Sequence, residues 1–306
     1  MSKHTSRRWL APVKINLFLH INGKIPEGSF RGYHEIQTYF QRLDYGDELM
    51  FDPLPEPRIE VEWQAGDESI ELKPENPQDD LIYRAAELLQ NISATQGHTS
   101  QGIRITLTKN APVGGGLGGG SSAAATTLLA LNKLWNISLP TADLIPLARK
   151  LGADVPIFLY ETNAWAEGIG DQITPYPSPV AEQWFVIVVP NTHVITAKGF
   201  AHPDLIRNEV KVVPDELVSH WQRSGYNAFE SITLAEDATI AACHQALRQV
   251  TGFSRLTGSG ACLFSPVATL AEAEHAATVL AGDTEHIQRV IIAKALPDSP
   301  VNTHDR

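Results

Sequence analysis

The chain has 306 residues, 43% hydrophobic and 19% charged, ample for a sizeable core and long enough for two domains. A formal net charge of −11 with no offsetting basic cluster argues against a nucleic-acid partner, and no apolar run approaches the roughly 20 residues that span a bilayer. The basic start leads into no signal-peptide core, and Cys243 and Cys262 lack metal-site spacing. A cytoplasmic protein with buried free thiols and no membrane partner is expected.

From Val13 the chain alternates. Val13, Ile15, Leu17, Leu19 and Ile21 form one face of a strand, with Lys14, Asn16 and His20 on the other. That polar face is either an ordinary solvent face or the wall of a site, and this segment alone leaves both open. Asn22 to Arg31 reads as a polar loop leading into Gly32-Tyr33-His34. An aromatic ring offers a stacking face and an imidazole can read a base edge, although the same pair could pack the loop to the core. Phe40 to Phe51 reads as two strands around an Asp44-Tyr45-Gly46-Asp47 turn, followed by a strand at Ile59 to Trp63 in a proline- and acid-rich stretch. Asp79 or Asp80 caps a helix that starts near Leu81.

Ile103 to Leu107 alternates like a strand and runs into Pro112-Val113-Gly114-Gly115-Gly116-Leu117-Gly118-Gly119-Gly120-Ser121-Ser122. Six glycines in these eleven residues suit a backbone that turns sharply and brings its N–H groups close to a ligand. Ala123 to Trp135 is strongly helix-forming. Strand, glycine loop and helix N-terminus together suit a phosphate chain, because free amides and the positive end of the helix dipole converge there. A Walker loop needs a Gly-Lys-Ser/Thr ending, and Gly120 is followed by Ser121. A dinucleotide fingerprint needs an acid about 20 positions on, and Asn132 to Thr141 holds no carboxylate. A flexible linker fits poorly between a strand and an apolar helix. What remains is a glycine-rich ATP loop.

Beyond it a helix runs from Thr141 to about Leu151, with Gly152 as its stop. Asp154 is the one acid between Leu151 and Phe158, either a helix cap ahead of Pro156 or a functional carboxylate. Glu167 to Asp171 is a glycine turn, Asp171 to Gln183 a proline-rich crossover, and Trp184 to Val189 a buried strand. Helices are expected at 215–223, 227–233, 236–250 and 270–281, with strands near 261–265 and 287–295.

The string Pro112 to Ser122 resembles the central motif of the galacto-, homoserine, mevalonate and phosphomevalonate (GHMP) kinase superfamily. Its doubled glycine triplet is most similar to the diphosphocytidyl methylerythritol kinases of the non-mevalonate isoprenoid pathway. Pro12 to Leu19 resembles the first superfamily motif, P-x-K-x-N-L-x-L, and Arg255 to Phe264 the third. Gly32-Tyr33-His34 and the Gly-Ala-Asp-Val-Pro segment at 152–156 also match, so the resemblance covers Pro12 to Phe264. It implies a two-domain α+β fold: residues 1–170 as a ribosomal-protein-S5-domain-2-like domain, 171–306 as a ferredoxin-like α/β sandwich, the active site between them. It also implies catalysis by Lys14 and Asp154, and ATP with Mg²⁺ held by Pro112, Val113, Gly114, Gly115, Gly116, Leu117, Gly118, Gly119, Gly120, Ser121 and Ser122. Asn16, Tyr33, His34, Ile169, Thr196 and Phe200 would bind the small-molecule substrate, CDP-methylerythritol, in a monomer or homodimer. Asp80 stands where many relatives carry an adenine-contacting Asn. A sister kinase for homoserine or a sugar would not need Tyr33, His34 or Phe200, and a non-catalytic ATP-binding protein would not need Lys14 and Asp154 together.

Overall fold

The computed structural model describes residues 8–298 apart from 29, 72, 96–101 and 161. Its first sheet contains β1 (Arg8–Lys24), β2 (His34–Leu54), β3 (Ile59–Ala65), β4 (Gly102–Lys109), β5 (Ala164–Glu167) and β6 (Gln172–Pro175). The long β2 is its spine. β1 runs antiparallel along one edge of β2, while β4 and β5 share the other, with β3 parallel outside β4 and β6 antiparallel outside β5. Helices α1 (Leu81–Thr95), α2 (Gly119–Leu134), α3 (Thr141–Leu151) and α4 (Val155–Leu159) cover one face, burying Leu89, Leu128, Leu131 and Ile157 against Phe40, Leu49, Ile105 and Leu107.

Asp44 to Asp47 is not a turn, as the sequence suggested, but part of the uninterrupted β2. Its glycine serves a close approach instead. A Cβ on Gly46 would stand 1.9 Å from the carbonyl oxygen of Ala11 on β1. Beside it the β1–β2 register shifts between Pro12 and Lys14. Such a shift exchanges the faces of a strand. Trp9 and Ala11 accordingly join the core under the helices, whereas Val13, Ile15 and Leu17 point the opposite way.

The second sheet holds β7 (Trp184–Pro190), β8 (Arg255–Leu256), β9 (Leu263–Val267) and β10 (Ile287–Lys294), antiparallel in the order β10-β7-β9-β8. It carries α5 (Thr196–Ala201), α6 (Pro214–Leu217), α7 (Trp221–Ser224), α8 (Glu230–Glu236), α9 (Ala238–Thr251) and α10 (Leu270–Leu280). Counted from β7, that order is 4-1-3-2 with helices in both crossovers, the ferredoxin-like sandwich. Phe185, Ile187 and Val189 pack on Val13, Ile15 and Leu17, so the two sheets share a core. Val186 and Val188 face α9 and α10. Burial on both faces explains the unbroken apolar run of β7.

Two expectations for this half need correction. The helix expected at 215–223 is broken into α6, a 3-10 turn and α7. The buried Arg255 guanidinium takes the carbonyls of Trp221, Gln222 and Gly225, which fixes where α7 ends. The stretch 227–233 becomes helical at Glu230, because Asn227 is tied to the carbonyls of Leu256 and Gly258 and caps Phe229 N.

Candidate active site

The glycine loop joins β4 to α2. Gly114, Gly116 and Gly118 have φ of 74°, 79° and 73°, and Gly118 is the N-cap of α2 without a side-chain capping bond. The first turn of α2 carries no acid. Nothing in the helix itself therefore answers its positive end, as suits an anion. Ser122 Oγ, beneath the loop, is buried without a hydrogen-bond partner among the described residues.

The stretch Thr257 to Ala261 packs backbone to backbone on this loop. A Cβ on Gly116 would meet Thr257 O at 2.1 Å, and one on Gly260 would meet Gly116 N at 2.3 Å. Cys262 N donates to Gly115 O at 3.2 Å. The stretch Thr257 to Ala261 thus has a physical task, which is to hold the loop from behind.

Lys14 is brought to the front by the register shift in β1. Its backbone N–H donates to Leu117 O at 2.9 Å, and its Nζ donates to Asn16 Oδ1 at 2.6 Å and Gly116 O at 3.0 Å. Asp154 Oδ2 stands 3.6 Å from the same Nζ; the lysine side chain is 3% exposed, the carboxylate 41%. Asp154 occupies the N-cap position of α4 yet makes no capping bond, which leaves its carboxylate free for the cleft. Burial lowers the Lys14 pKa and the neighbouring Asp154 opposes that shift. Asn16 is oriented in turn, its Nδ2 donating to Thr38 Oγ1 at 2.8 Å. The polar face of β1 is therefore not a solvent face: Lys14, Asn16 and His20 are all buried.

One cleft of about 560 Å³ gathers Lys14, Asn16, Asp154, Ile169, Thr196, Phe200 and the loop from Pro112 to Ser121. Ser122 lies under its floor. Tyr33 and His34 line an adjoining cavity of about 580 Å³ that shares Ile36, Ala153, Ile169 and Phe200 with the first. Tyr33 is 60% exposed, whereas His34 lies flat against Phe200 with ring centroids 5.1 Å apart. Phe200 is held edge-on by Phe229 at 4.8 Å, and Thr196 accepts a hydrogen bond from Ser259 at 2.9 Å.

The far wall of the cleft includes Trp63, Leu81 and Lys109, none of which sequence reasoning singled out. Lys109 is buried in a bidentate pair with Asp47 at 2.9 and 2.7 Å, and Asp47 also accepts from Asn110 N and Ala111 N. This anchors the start of the loop; breaking such a pair typically costs about 3–5 kcal/mol. Asp80 lies off the cleft wall. One carboxylate oxygen caps Ile82 N, and the other accepts from the Trp63 indole.

Comparison with known proteins agrees with this geometry. Residues 80–162 match the GHMP kinases N terminal domain. The chain is 41% identical over 304 residues to the 4-diphosphocytidyl-2-C-methyl-D-erythritol kinase of Pseudoalteromonas translucida (strain TAC 125), covering 99% of this chain and 98% of that one. It is 40% identical over 297 residues to the protein of the same name from Hahella chejuensis (strain KCTC 2396), covering 95% and 94%. Among solved structures, a 4-(cytidine 5'-diphospho)-2C-methyl-D-erythritol kinase superposes with a TM-score of 0.73 at 28% identity, over 94% of this chain and 98% of that one. A homoserine kinase from Cytophaga hutchinsonii ATCC 33406 shares the fold, with a TM-score of 0.70 at 17% identity over 98% of both chains. Full-length identity near 40%, a matching superfamily domain and a cleft of this make leave one assignment: the chain belongs to the 4-diphosphocytidyl-2-C-methyl-D-erythritol kinase family of GHMP kinases.

Proposed function

We propose that this enzyme transfers the γ-phosphoryl group of ATP to the 2-hydroxyl of 4-diphosphocytidyl-2-C-methyl-D-erythritol, with Asp154 and Lys14 as its catalytic pair. The observation that carries this reading is the position of Lys14 Nζ, which touches the glycine loop at Gly116 O and lies 3.6 Å from Asp154. One cation thereby borders both the phosphate site and the Asp154 carboxylate at the N-cap of α4. Asp154 accepts the proton of the attacking hydroxyl. Lys14 stabilises charge on the oxygen as it attacks. Asn16 fixes the ammonium.

The amides of the loop from Gly114 to Ser121 receive the β- and γ-phosphates, and the uncompensated N-terminus of α2 supplies further positive potential. No group of three His, Cys, Asp or Glu side chains among the described residues is placed to hold a metal ion. Mg²⁺ in this site would accordingly come with the nucleotide, held chiefly by phosphate oxygens with the Ser122 hydroxyl as a protein donor, and would neutralise phosphate charge. The cytosine occupies the cavity of Tyr33, His34 and Phe200, while Ile169 and Thr196 border the methylerythritol diphosphate between the two pockets.

ADP release measured against diphosphocytidyl methylerythritol, homoserine, galactose and mevalonate tests the assignment. Turnover of the first, inhibited by added CMP, is expected. Efficient phosphorylation of another alcohol without any effect of CMP would refute the cytidine pocket.

A further inference from the structure

Arg207 lies in the irregular stretch between α5 and α6, outside every motif of the phosphoryl-transfer site. Its guanidinium is nonetheless the junction of two separate parts of the substrate pocket. Nε donates to His34 Nε2 at 3.1 Å. Nη1 donates to Leu205 O at 3.0 Å, and Nη2 to Phe200 O at 3.0 Å and His202 O at 2.6 Å. The last two carbonyls belong to the C-terminal end of α5, the helix that carries Thr196 and Phe200.

We infer that Arg207 is a positioning residue for substrate recognition, clamping His34 as its Nδ1–H tautomer and fixing that ring to the helix of Thr196 and Phe200. This rests on the reading above in which His34 meets the cytosine. A guanidinium has donors and no acceptor, so the nitrogen it faces carries no proton. A neutral imidazole must then hold its single proton on Nδ1. The neutral state is itself favoured, because burial and the positive charges of Arg207 and Lys24 lower the His34 pKa. The ring is held flat on Phe200 at 5.1 Å, and Phe200 is held in turn by Phe229. His34 therefore offers its pocket a hydrogen-bond donor of fixed orientation, suited to an acceptor on a pyrimidine edge. Without Arg207 the ring would be free to exchange tautomers, and the Nε2–H form would present an acceptor where a donor is needed. A lysine keeps the charge but cannot direct four bonds in one plane.

The test uses full-length ¹⁵N-labelled protein and long-range ¹H–¹⁵N correlation of its histidine rings, with the His34 signals identified by their loss in H34Q. In the parent, His34 should show a protonated Nδ1 and an unprotonated Nε2 near pH 7.5. In R207K and R207M the pattern should shift towards Nε2–H or average between tautomers. The KM for the cytidylyl substrate should rise about tenfold, the loss of one directed hydrogen bond, with the KM for ATP unchanged. A cap of α5 with no role in recognition would leave the tautomer where it is. A parent His34 protonated on Nε2 refutes the clamp, and so does an unchanged tautomer and KM in folded R207K. The parent spectrum stands as a test even if R207M fails to fold. CMP titrated into H34A separates the two layers: affinity equal to the parent's refutes the base contact, and with it any role of Arg207 in recognition, while the tautomer result still reports on the clamp.

Discussion

Gly116 and Gly120 sit in the same loop and separate what glycine does for the fold from what it does for a ligand. Gly120 lies in the first turn of α2 with an ordinary backbone conformation, and a Cβ there would meet nothing nearer than Leu81 Cδ1 at 3.9 Å. The fold has no need of a glycine at this point. Gly120→Ala should stabilise the free protein by about 0.5 kcal/mol through lost freedom of the unfolded chain, raising Tm by roughly 1–2 °C. The added methyl stands on the cleft wall beside Leu81, however, and should weaken the nucleotide. ATP at 100 times its Kd stabilises by about 2.7 kcal/mol, a shift of roughly 5–10 °C. A tenfold loss of affinity would remove about 1.4 kcal/mol, half of that protection. Gly116 is the opposite case. A Cβ would stand 2.1 Å from Thr257 O and 3.2 Å from Gly260 N, both backbone atoms, at a φ of +79°. Left-handed strain of about 1–2 kcal/mol and overpacking of about 1–3 kcal/mol predict a loss near 2–5 kcal/mol for Gly116→Ala, or roughly 4–20 °C. Thermal melts of parent and both variants, with and without ATP, decide the matter. A Gly120→Ala protein that melts below the parent, or keeps its full ATP shift, refutes the separation; so does a Gly116→Ala protein with the parent's Tm.

Asp154→Asn should retain ATP protection while kcat falls by ~10²–10⁴, with the Lys14→Ala double variant little worse, as expected of two groups acting as a unit. Steady-state kinetics beside a melt check this, and near-normal turnover by a folded single variant removes the pair from the mechanism. Thr38→Val takes away the hydroxyl that accepts from Asn16 Nδ2 and donates to Phe18 O, so the Asn16 amide can turn away from Lys14. A roughly tenfold fall in kcat is expected, restored by Thr38→Ser; equal losses in both variants would point to packing instead. Because burial lowers the Lys14 pKa, its ammonium is lost with rising pH before ordinary lysines titrate, and kcat should show a basic limb below about pH 10.4. The folded protein holds this proton less tightly than the unfolded chain, so the same group adds stability as pH rises between its lowered value and the ordinary one. A pH–rate profile flat through pH 10 would contradict the assignment.

The sequence was legible where a local pattern and a local cause coincide. The unbroken run of β7 reflects burial on two faces, and the glycine loop announced itself because a strand and an apolar helix flank it at once. Alternation in β1 identified its faces but not which way they point, and that is decided elsewhere. Gly46, far along the chain, lets Ala11 come close, and the register shift beside it turns Lys14 and Asn16 towards the loop rather than towards water. The same glycine read as a turn when its own neighbours were the whole context. Asp154 shows the reverse: its spacing fits a helix cap, and it does sit at an N-cap, yet the capping bond is absent and the carboxylate faces Lys14.

Lys109, Asp47 and Arg207 went unread for a related reason. Each carries its meaning in a partner from a distant segment: the amides at the start of the loop for Asp47, a histidine ring and a helix end for Arg207. A charged residue in a loop or at a strand end looks like solvent-facing charge until the backbone groups it satisfies are known. What unites the three is bonding to carbonyls, amides, a ring nitrogen or an opposite charge that would otherwise lack these partners, at a cost of about 1–3 kcal/mol for each such group where it is buried. That cost makes the supporting residues as necessary to the cleft as Lys14 and Asp154. The chemistry of the site can be read from its motifs, but its geometry is held by side chains that belong to none of them.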